Sequence, residues 1–236
     1  MKLSGLKKEL RRLLEIINAM DRKVIIIFLS VAVLQTISWY YSSRSFFRIN
    51  FFTYYQNDPD VFLYEYLYWF IGDFFTLFIL SIIIIKFILK EDLRNYGLQF
   101  GDYKTGLALS SIFFLVMLPA IWFFSATPEF SEKYPHLLST RNSWGDFFIY
   151  ESGMLLYMIS WEFIWRGFML FGLKEKFGYY SVLMQMIPFV ILHNGKPAPE
   201  TFGAIAGGIA LGVLAFRTNS VLYCIITHMG IMFTID

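Results

Sequence analysis

Three apolar stretches of the chain carry ionisable side chains of the kinds that perform catalysis. Glu162 and Arg166 lie four residues apart in one stretch, His193 lies in the next, and His228 lies in the last. A carboxylate with a neighbouring histidine can activate water as a general base. A second histidine can donate a hydrogen bond to a developing oxyanion. These residue types indicate peptide hydrolysis, with Glu162, His193 and His228 as the candidate catalytic residues.

The same three side chains are also a candidate metal site, since two histidines and one carboxylate can hold zinc with one position left open. No HExxH spacing occurs, so separate helices would have to assemble such a site. The single cysteine, Cys224, offers neither a disulfide nor a thiolate cluster. We expect no cofactor. If a metal is bound, Glu162, His193 and His228 are its expected ligands, and zinc is possible but not favoured.

The depths of these groups are expected to match. A charged group near the centre of a bilayer costs at least about 2.5–3.5 kcal/mol, so such residues are functional candidates. Counted from the expected inner end of each span at about 1.5 Å per residue, Glu162, His193 and His228 lie about 18, 21 and 16 Å deep. Three separate spans therefore bring ionisable groups to nearly one level.

Three further charged residues are expected to support this cluster. Arg166 shares a helix face with Glu162, which indicates an ion pair that makes two buried charges tolerable or, in addition, a group that orients a catalytic carboxylate. Asp73 is expected to pair with Arg166 or a histidine, in a structural or gating role. Glu200 either contributes a carboxylate to the site or is a negative charge at a helix N-terminus.

The elements that must position these residues are membrane helices. The chain of 236 residues is 57% hydrophobic and only 16% charged, against about 25% charged in soluble domains. Apolar runs of more than about 18 residues predict transmembrane helices. We predict an all-α polytopic transmembrane bundle of about seven to eight helices, forming one domain over residues 24–236. The main spans are approximately 24–42, 62–89, 104–125, 146–174, 179–194, 202–217 and 219–235, and 44–56 is a further interfacial helix.

Residues 1–23 form a basic amphipathic segment, which predicts an interfacial helix on an anionic membrane surface. Lys and Arg are concentrated at alternate span ends, beginning with this segment. The expected protein is therefore multi-pass with a cytoplasmic N-terminus, in a bacterial-type inner or plasma membrane. The net charge of +2 argues against a nucleic-acid partner. The expected partners are the lipid bilayer and a peptide or protein substrate within it.

Four glycines in the sixth predicted span, Gly203, Gly207, Gly208 and Gly212, form two pairs with a spacing of four residues. Such small faces let membrane helices approach closely. The pattern predicts a close helix–helix contact along this span.

Three short motifs occur in order over these stretches. The stretch from Trp161 to Arg166 is similar to a Glu-Glu-x-x-x-Arg motif, and Phe189 to His193 matches Phe-x-x-x-His. His228 matches a histidine that is followed four residues later by asparagine. Through these motifs, residues 146–236 resemble the CPBP intramembrane proteases, also called the Abi group, which include CAAX-processing and bacteriocin-related enzymes.

The resemblance implies an intramembrane endopeptidase that uses glutamate chemistry without a required metal and cleaves a membrane-associated or membrane-targeted peptide. Glu162 with His193 would activate water, His228 would stabilise the oxyanion, and Arg166 would orient Glu162.

Two positions depart from the family pattern. Trp161 stands where the family has its first glutamate, and Met232 stands where it has asparagine. These departures keep a second hypothesis open, a catalytically degenerate membrane scaffold or partner protein. A third hypothesis is a proton- or ion-coupled carrier, since membrane carboxylates and histidines also form relays, although the sequence contains no inverted repeat in its support.

Overall fold

The computed structural model describes residues 3–236 and confirms an all-α helical bundle. Met1 and Lys2, at the start of the predicted interfacial segment, lie outside the described residues. The helices are, in chain order, α1 (Leu3–Ala19), α2 (Arg22–Ile37), α3 (Arg44–Asn50), α4 (Phe52–Tyr55), α5 (Val61–Leu89), α6 (Tyr103–Ser125), α7 (Pro128–Ser131), α8 (Trp144–Phe177), α9 (Tyr180–Ile191), α10 (Ala198–Thr218) and α11 (Leu222–Ile235).

Five helical segments are long and apolar enough to cross a membrane: the run Arg22–Asn50 over α2 and α3, then α5, α6, α8 and α10. The chain is therefore an integral membrane protein. Helices α9 and α11 occupy the fifth and seventh predicted spans but have only 12 and 14 residues. At 1.5 Å per residue they reach about 18 and 21 Å, short of the roughly 30 Å hydrocarbon core.

Helix α8 lies at the centre of the bundle, and α5, α9 and α11 pack against it. Its middle widens over Phe163–Met169, where the backbone hydrogen bonds follow the i→i+5 pattern, and all seven residues there are buried. Such wide turns inside helices are frequent at functional sites. Helix α6, by contrast, turns apolar side chains such as Val116 and Trp122 outward, where lipid would cover them.

Ion pairs join the helix ends nearest α1. Asp21 caps α2 by accepting a hydrogen bond from the Val24 amide, and Lys176 at the end of α8 approaches its carboxylate to 3.6 Å. Lys23 donates to Glu91, just beyond α5, at 2.9 Å. The ends of α2, α5 and α8 are thereby held together.

The segment before α6 is fixed against the end of α10. Asp102 caps α6, and its backbone amide donates to the Thr218 carbonyl at 3.0 Å. Hydrogen bonds from Thr105, and then the Arg217 guanidinium, hold the pKa of Asp102 below its usual range. Gly101 has φ +53°, and a Cβ there would lie 2.0 Å from the Thr218 oxygen. Only glycine fits this close backbone approach.

The predicted glycine face of α10 contacts a neighbouring helix along half of its length. Gly208 and Gly212 pack against α9, and Gln185 Nε2 on α9 donates to the Gly208 carbonyl at 2.8 Å. Gly203 and Gly207 have no described atom within 4 Å of an added Cβ. The close contact therefore belongs to the half of α10 that is paired with α9.

We predict that Gly212→Ala destabilises the protein by about 1–3 kcal/mol, because the new methyl group would lie 2.7 Å from Gln185 Nε2 and force the helices apart. Gly207→Ala is the matched control on the open half. It should be neutral or stabilising, since alanine favours helix. Thermal unfolding in detergent measures both, and equal midpoints would contradict the packing described.

Candidate active site

The candidate residues lie on three different elements. Glu162 and Arg166 are on α8, where its wide segment begins, and both are fully buried. His193 follows the end of α9 by two residues, and His228 is in the middle of α11. Because α9 and α11 both contact α8, the three elements bring these side chains to one region.

Glu162 and Arg166 form the ion pair that their spacing predicts. Arg166 Nη1 donates to Glu162 Oε1 at 3.1 Å, with neither side chain exposed. The Arg166 guanidinium carbon also lies 4.0 Å from the ring centroid of Phe189 on α9, a cation–π contact that strengthens in desolvated surroundings. The positive charge is therefore balanced by one carboxylate and one aromatic face.

Glu162 also bonds to a histidine, and that histidine is His228. The distance from Glu162 Oε1 to His228 Nδ1 is 2.6 Å. A carboxylate only accepts, so Nδ1 carries the proton and Nε2 is the ring nitrogen left for another partner. The sequence predicts that Glu162 acts together with His193. The hydrogen bond of Glu162 is instead made to His228, because His228 lies on α11, which packs on α8, whereas His193 lies beyond the end of α9.

His193 is oriented by its own helix. Its Nδ1 lies 2.7 Å from the Phe189 carbonyl, one turn earlier. A carbonyl accepts, so Nδ1 donates, and a neutral His193 offers Nε2 as an acceptor. Its own carbonyl accepts from the Thr201 hydroxyl at 2.9 Å on α10. His193 is 7% exposed, so it is a buried, oriented base candidate.

Hydrogen-bonding capacity is left over around this cluster. Glu162 Oε2, Arg166 Nε and Nη2, and Trp165 Nε1 are buried and have no hydrogen-bond partner among the described residues. Buried polar atoms in proteins are rarely left without a partner. These atoms, an acceptor beside several donors, suit a water molecule or a polar substrate group. Trp165 could not be predicted as a candidate from the sequence, because a single tryptophan in an apolar run does not indicate a functional residue.

A cavity of about 380 Å³ adjoins the cluster and is lined by Tyr157, Trp161 and Leu192, among others. Trp161 directly precedes Glu162, and Leu192 directly precedes His193. Glu162, His193 and His228 are not among its lining residues. The Trp161 ring lies 6.1 Å from that of His193, centroid to centroid. The residue that replaces the expected first glutamate therefore lines the cavity and also lies near His193.

Asp73 is in a different place from the one predicted. Its carboxylate accepts from the Ser38 hydroxyl at 2.6 Å and from Trp69 Nε1 at 2.9 Å. The expected pairing with Arg166 or a histidine is wrong, because Trp69 lies one turn before Asp73 and the wide helical turn Ser38–Ser42 that continues α2 brings Ser38 within reach. Asp73 lines the cavity beside Trp161, outside the Glu162 cluster.

Glu200 is part of a polar network at the turn that carries His193. Lys196 Nζ donates to Glu200 at 2.5 Å, and the Tyr134 hydroxyl donates at 2.7 Å. Burial, and then the Glu200 charge, raise the pKa of Tyr134, so this phenol remains a donor. Lys133 also donates to the Gly195 carbonyl at 3.2 Å. Glu200 has no hydrogen bond to Glu162, and the network instead attaches the loop before α8 to the His193 turn.

Two other positions bear on the expected chemistry. Met232, where the family has asparagine, is 4% exposed in an apolar cluster with Met154 and Met158. Cys224 is fully buried, and its Sγ lies 3.1 Å from the Leu211 carbonyl. Within residues 3–236, no group of three or more His, Cys, Asp or Glu side chains is placed to hold a metal ion.

Comparison with known proteins gives a match to a protein family. Residues 143–234 match the family model described as type II CAAX prenyl endopeptidase Rce1-like. This match confirms the resemblance carried by the three motifs. It covers α8 to α11, the region that contains Glu162 and Arg166 on α8, His193 in the turn after α9, and His228 on α11. No curated protein and no solved structure significantly matches the chain.

We predict that Arg166→Met destabilises the protein by about 3–5 kcal/mol, because Glu162 would remain as a buried charge without its cationic partner. The double variant Glu162→Gln/Arg166→Met should recover a large part of this loss. Arg12→Met, in the exposed pair with Glu9, is the control and should change little. Thermal unfolding in detergent reports all three, and a double variant no more stable than Arg166→Met would refute the pairing.

Proposed function

Because residues 143–234 match the Rce1-like family model of type II CAAX prenyl endopeptidases, we propose that the protein is an intramembrane endopeptidase. Its substrate is a membrane-associated or membrane-targeted peptide. One observation carries the proposal: Glu162 bridges Arg166 and His228 in a fully buried position within the family-matched region. A structural ion pair needs Arg166 alone, and the histidine adds a group that moves protons.

In the proposed reaction two acceptors receive the attacking water. Glu162 Oε2 is unpaired, and His193 Nε2 is left unprotonated by the Phe189 contact. One of these groups takes a proton while the water oxygen bonds to the scissile carbonyl carbon. The proton then passes to the amine nitrogen as the C–N bond breaks. The products are a new carboxyl group and a new amine.

His228 and Arg166 act beside these acceptors. Glu162 holds His228 through Nδ1, so Nε2 is the atom that can meet the substrate oxygen, and an imidazolium there would donate to the oxyanion. Arg166 orients Glu162 through Nη1. No step in this scheme uses a metal.

We propose that Glu200 acts indirectly: its hydrogen bonds to Lys196 and Tyr134 hold the turn that carries His193. We propose that Asp73, which lines the same cavity as Trp161, acts on the path by which a substrate reaches the site.

We predict that Glu162→Gln, His193→Ala and His228→Ala each lower the cleavage rate by about a hundredfold or more, since each removes a group that moves or stabilises charge. The purified protein in lipid vesicles is incubated with a panel of membrane-anchored peptides, and the products are identified by mass spectrometry. Glu151→Gln is the matched control, because Glu151 is a second buried carboxylate on α8.

The control should retain parental activity, and thermal unfolding should confirm that each variant is folded. An EDTA-treated arm tests metal dependence directly, with unchanged rates expected. Full processing by all three site variants would exclude the proposed mechanism.

A degenerate scaffold is the second candidate function, and the position of Trp161 favours it. Trp161 stacks on Tyr157 at 5.7 Å and lies 5.9 Å from Phe189, so an aromatic ring fills the place of the family's first carboxylate. A protein that had lost catalysis would keep such a well-packed residue.

We predict that Trp161→Glu creates no activity that the parent lacks, because Glu162 and the two histidines already supply acceptors and donors. Trp161→Gln controls for loss of the ring. The same peptide panel is used. An inactive parent that gains cleavage through Trp161→Glu, but not through Trp161→Gln, would establish the scaffold in place of the enzyme.

A further inference from the structure

Helix α1 (Leu3–Ala19) presents an apolar face that nothing in the described chain covers. Every side chain from Leu6 to Arg22 is exposed, including Leu10 at 58% and Leu13 at 57%. At 100° per residue, the leucine, isoleucine and methionine side chains from Leu6 to Met20 cover an arc of about 160°. A two-stranded coiled-coil seam is narrower than this, so the width favours a broad surface as the partner.

The linkage to α2 fixes where that surface lies. Only two residues, Met20 and Asp21, separate Ala19 from Arg22, and two residues span at most about 7 Å. Since α2 begins the first candidate membrane span, α1 must stay beside the point where that span enters the bilayer. An apolar face held there is at the membrane interface.

Charge indicates which lipid headgroup it meets. In α1 itself four basic residues lie beside two acidic ones, and one of the latter, Glu9, is paired with Arg12 at 2.8 Å. The helix ends and loops on the side of the bundle where α1 lies carry, among the described residues, thirteen basic and seven acidic residues. Those on the opposite side of the bundle carry five basic and nine acidic residues. The basic residues on the α1 side are Lys7, Lys8, Arg11, Arg12, Arg22, Lys23, Lys86, Lys90, Arg94, Lys104, Lys174, Lys176 and Arg217.

We infer that α1 is an anionic-lipid binding element. It lies in the plane of the membrane with its apolar face among the acyl chains, and Lys7, Lys8, Arg11 and Arg12 meet anionic headgroups. Each basic side chain near such a surface adds attraction that salt screens. The inference does not depend on catalysis, and it assigns a lipid partner to a part of the chain outside the family-matched region.

The test uses single cysteines introduced into the full-length protein. The one native cysteine, Cys224, is fully buried and provides a silent background for a water-soluble maleimide. Leu13→Cys probes the apolar face. Glu15→Cys, two residues away and about 200° around the helix, is the matched control on the polar face. Both variants are reconstituted in phosphatidylcholine vesicles with and without phosphatidylglycerol.

In vesicles that contain phosphatidylglycerol, Leu13→Cys should react about tenfold more slowly than Glu15→Cys. The ratio should fall towards one in phosphatidylcholine alone and in high salt. Normalising to Glu15→Cys removes the effect of protein orientation in the vesicles. Equal rates in anionic vesicles would overturn the inference. So would protection of Leu13→Cys that is the same in both lipids, or disulfide dimers formed through it, which would mark a protein partner.

Discussion

The Glu162–Arg166 pair is the interaction around which the rest of the core is arranged. Either charge left alone in the middle of an apolar helix would strongly destabilise the fold, because an unpaired buried charge is not compensated. The pair fixes the wide segment of α8, presents Arg166 to Phe189 on α9, and leaves Glu162 to hold His228 on α11. Charge compensation and the assembly of the candidate site are thus the same set of contacts.

The site and its access are separate features of the molecule. Glu162 and Arg166 are fully buried, and His228 is half-buried. Trp161 and Leu192, which directly precede candidate catalytic residues, line the adjoining cavity. Asp73 lines the cavity, while Glu200 belongs to the network that ties the loop before α8 to the His193 turn.

Much of this arrangement could be predicted from local sequence. Run length located the long helices, and the spacing of four residues gave the Glu162–Arg166 contact, because both depend on neighbours along one helix. The partners of Glu162, Asp73 and Glu200 across the fold could not be obtained in this way. They depend on the packing of α11 against α8, on the position of Ser38 in the helical turn after α2, and on the position of Tyr134 in the loop before α8. The end of α9 at Ile191 was also not predicted, because the predicted span 179–194 includes the first residues of the turn that follows the helix.

The central claim is that Glu162 and His228 work as one unit. The most direct measurement is a kinetic double-mutant cycle in vesicles, which compares Glu162→Gln, His228→Ala and the combined variant on one cleaved peptide. Residues that act together are strongly non-additive. The account predicts that the combined variant is no slower than the slower single variant. Rate losses that multiply would contradict it, and would mean that the 2.6 Å contact joins two residues with independent roles.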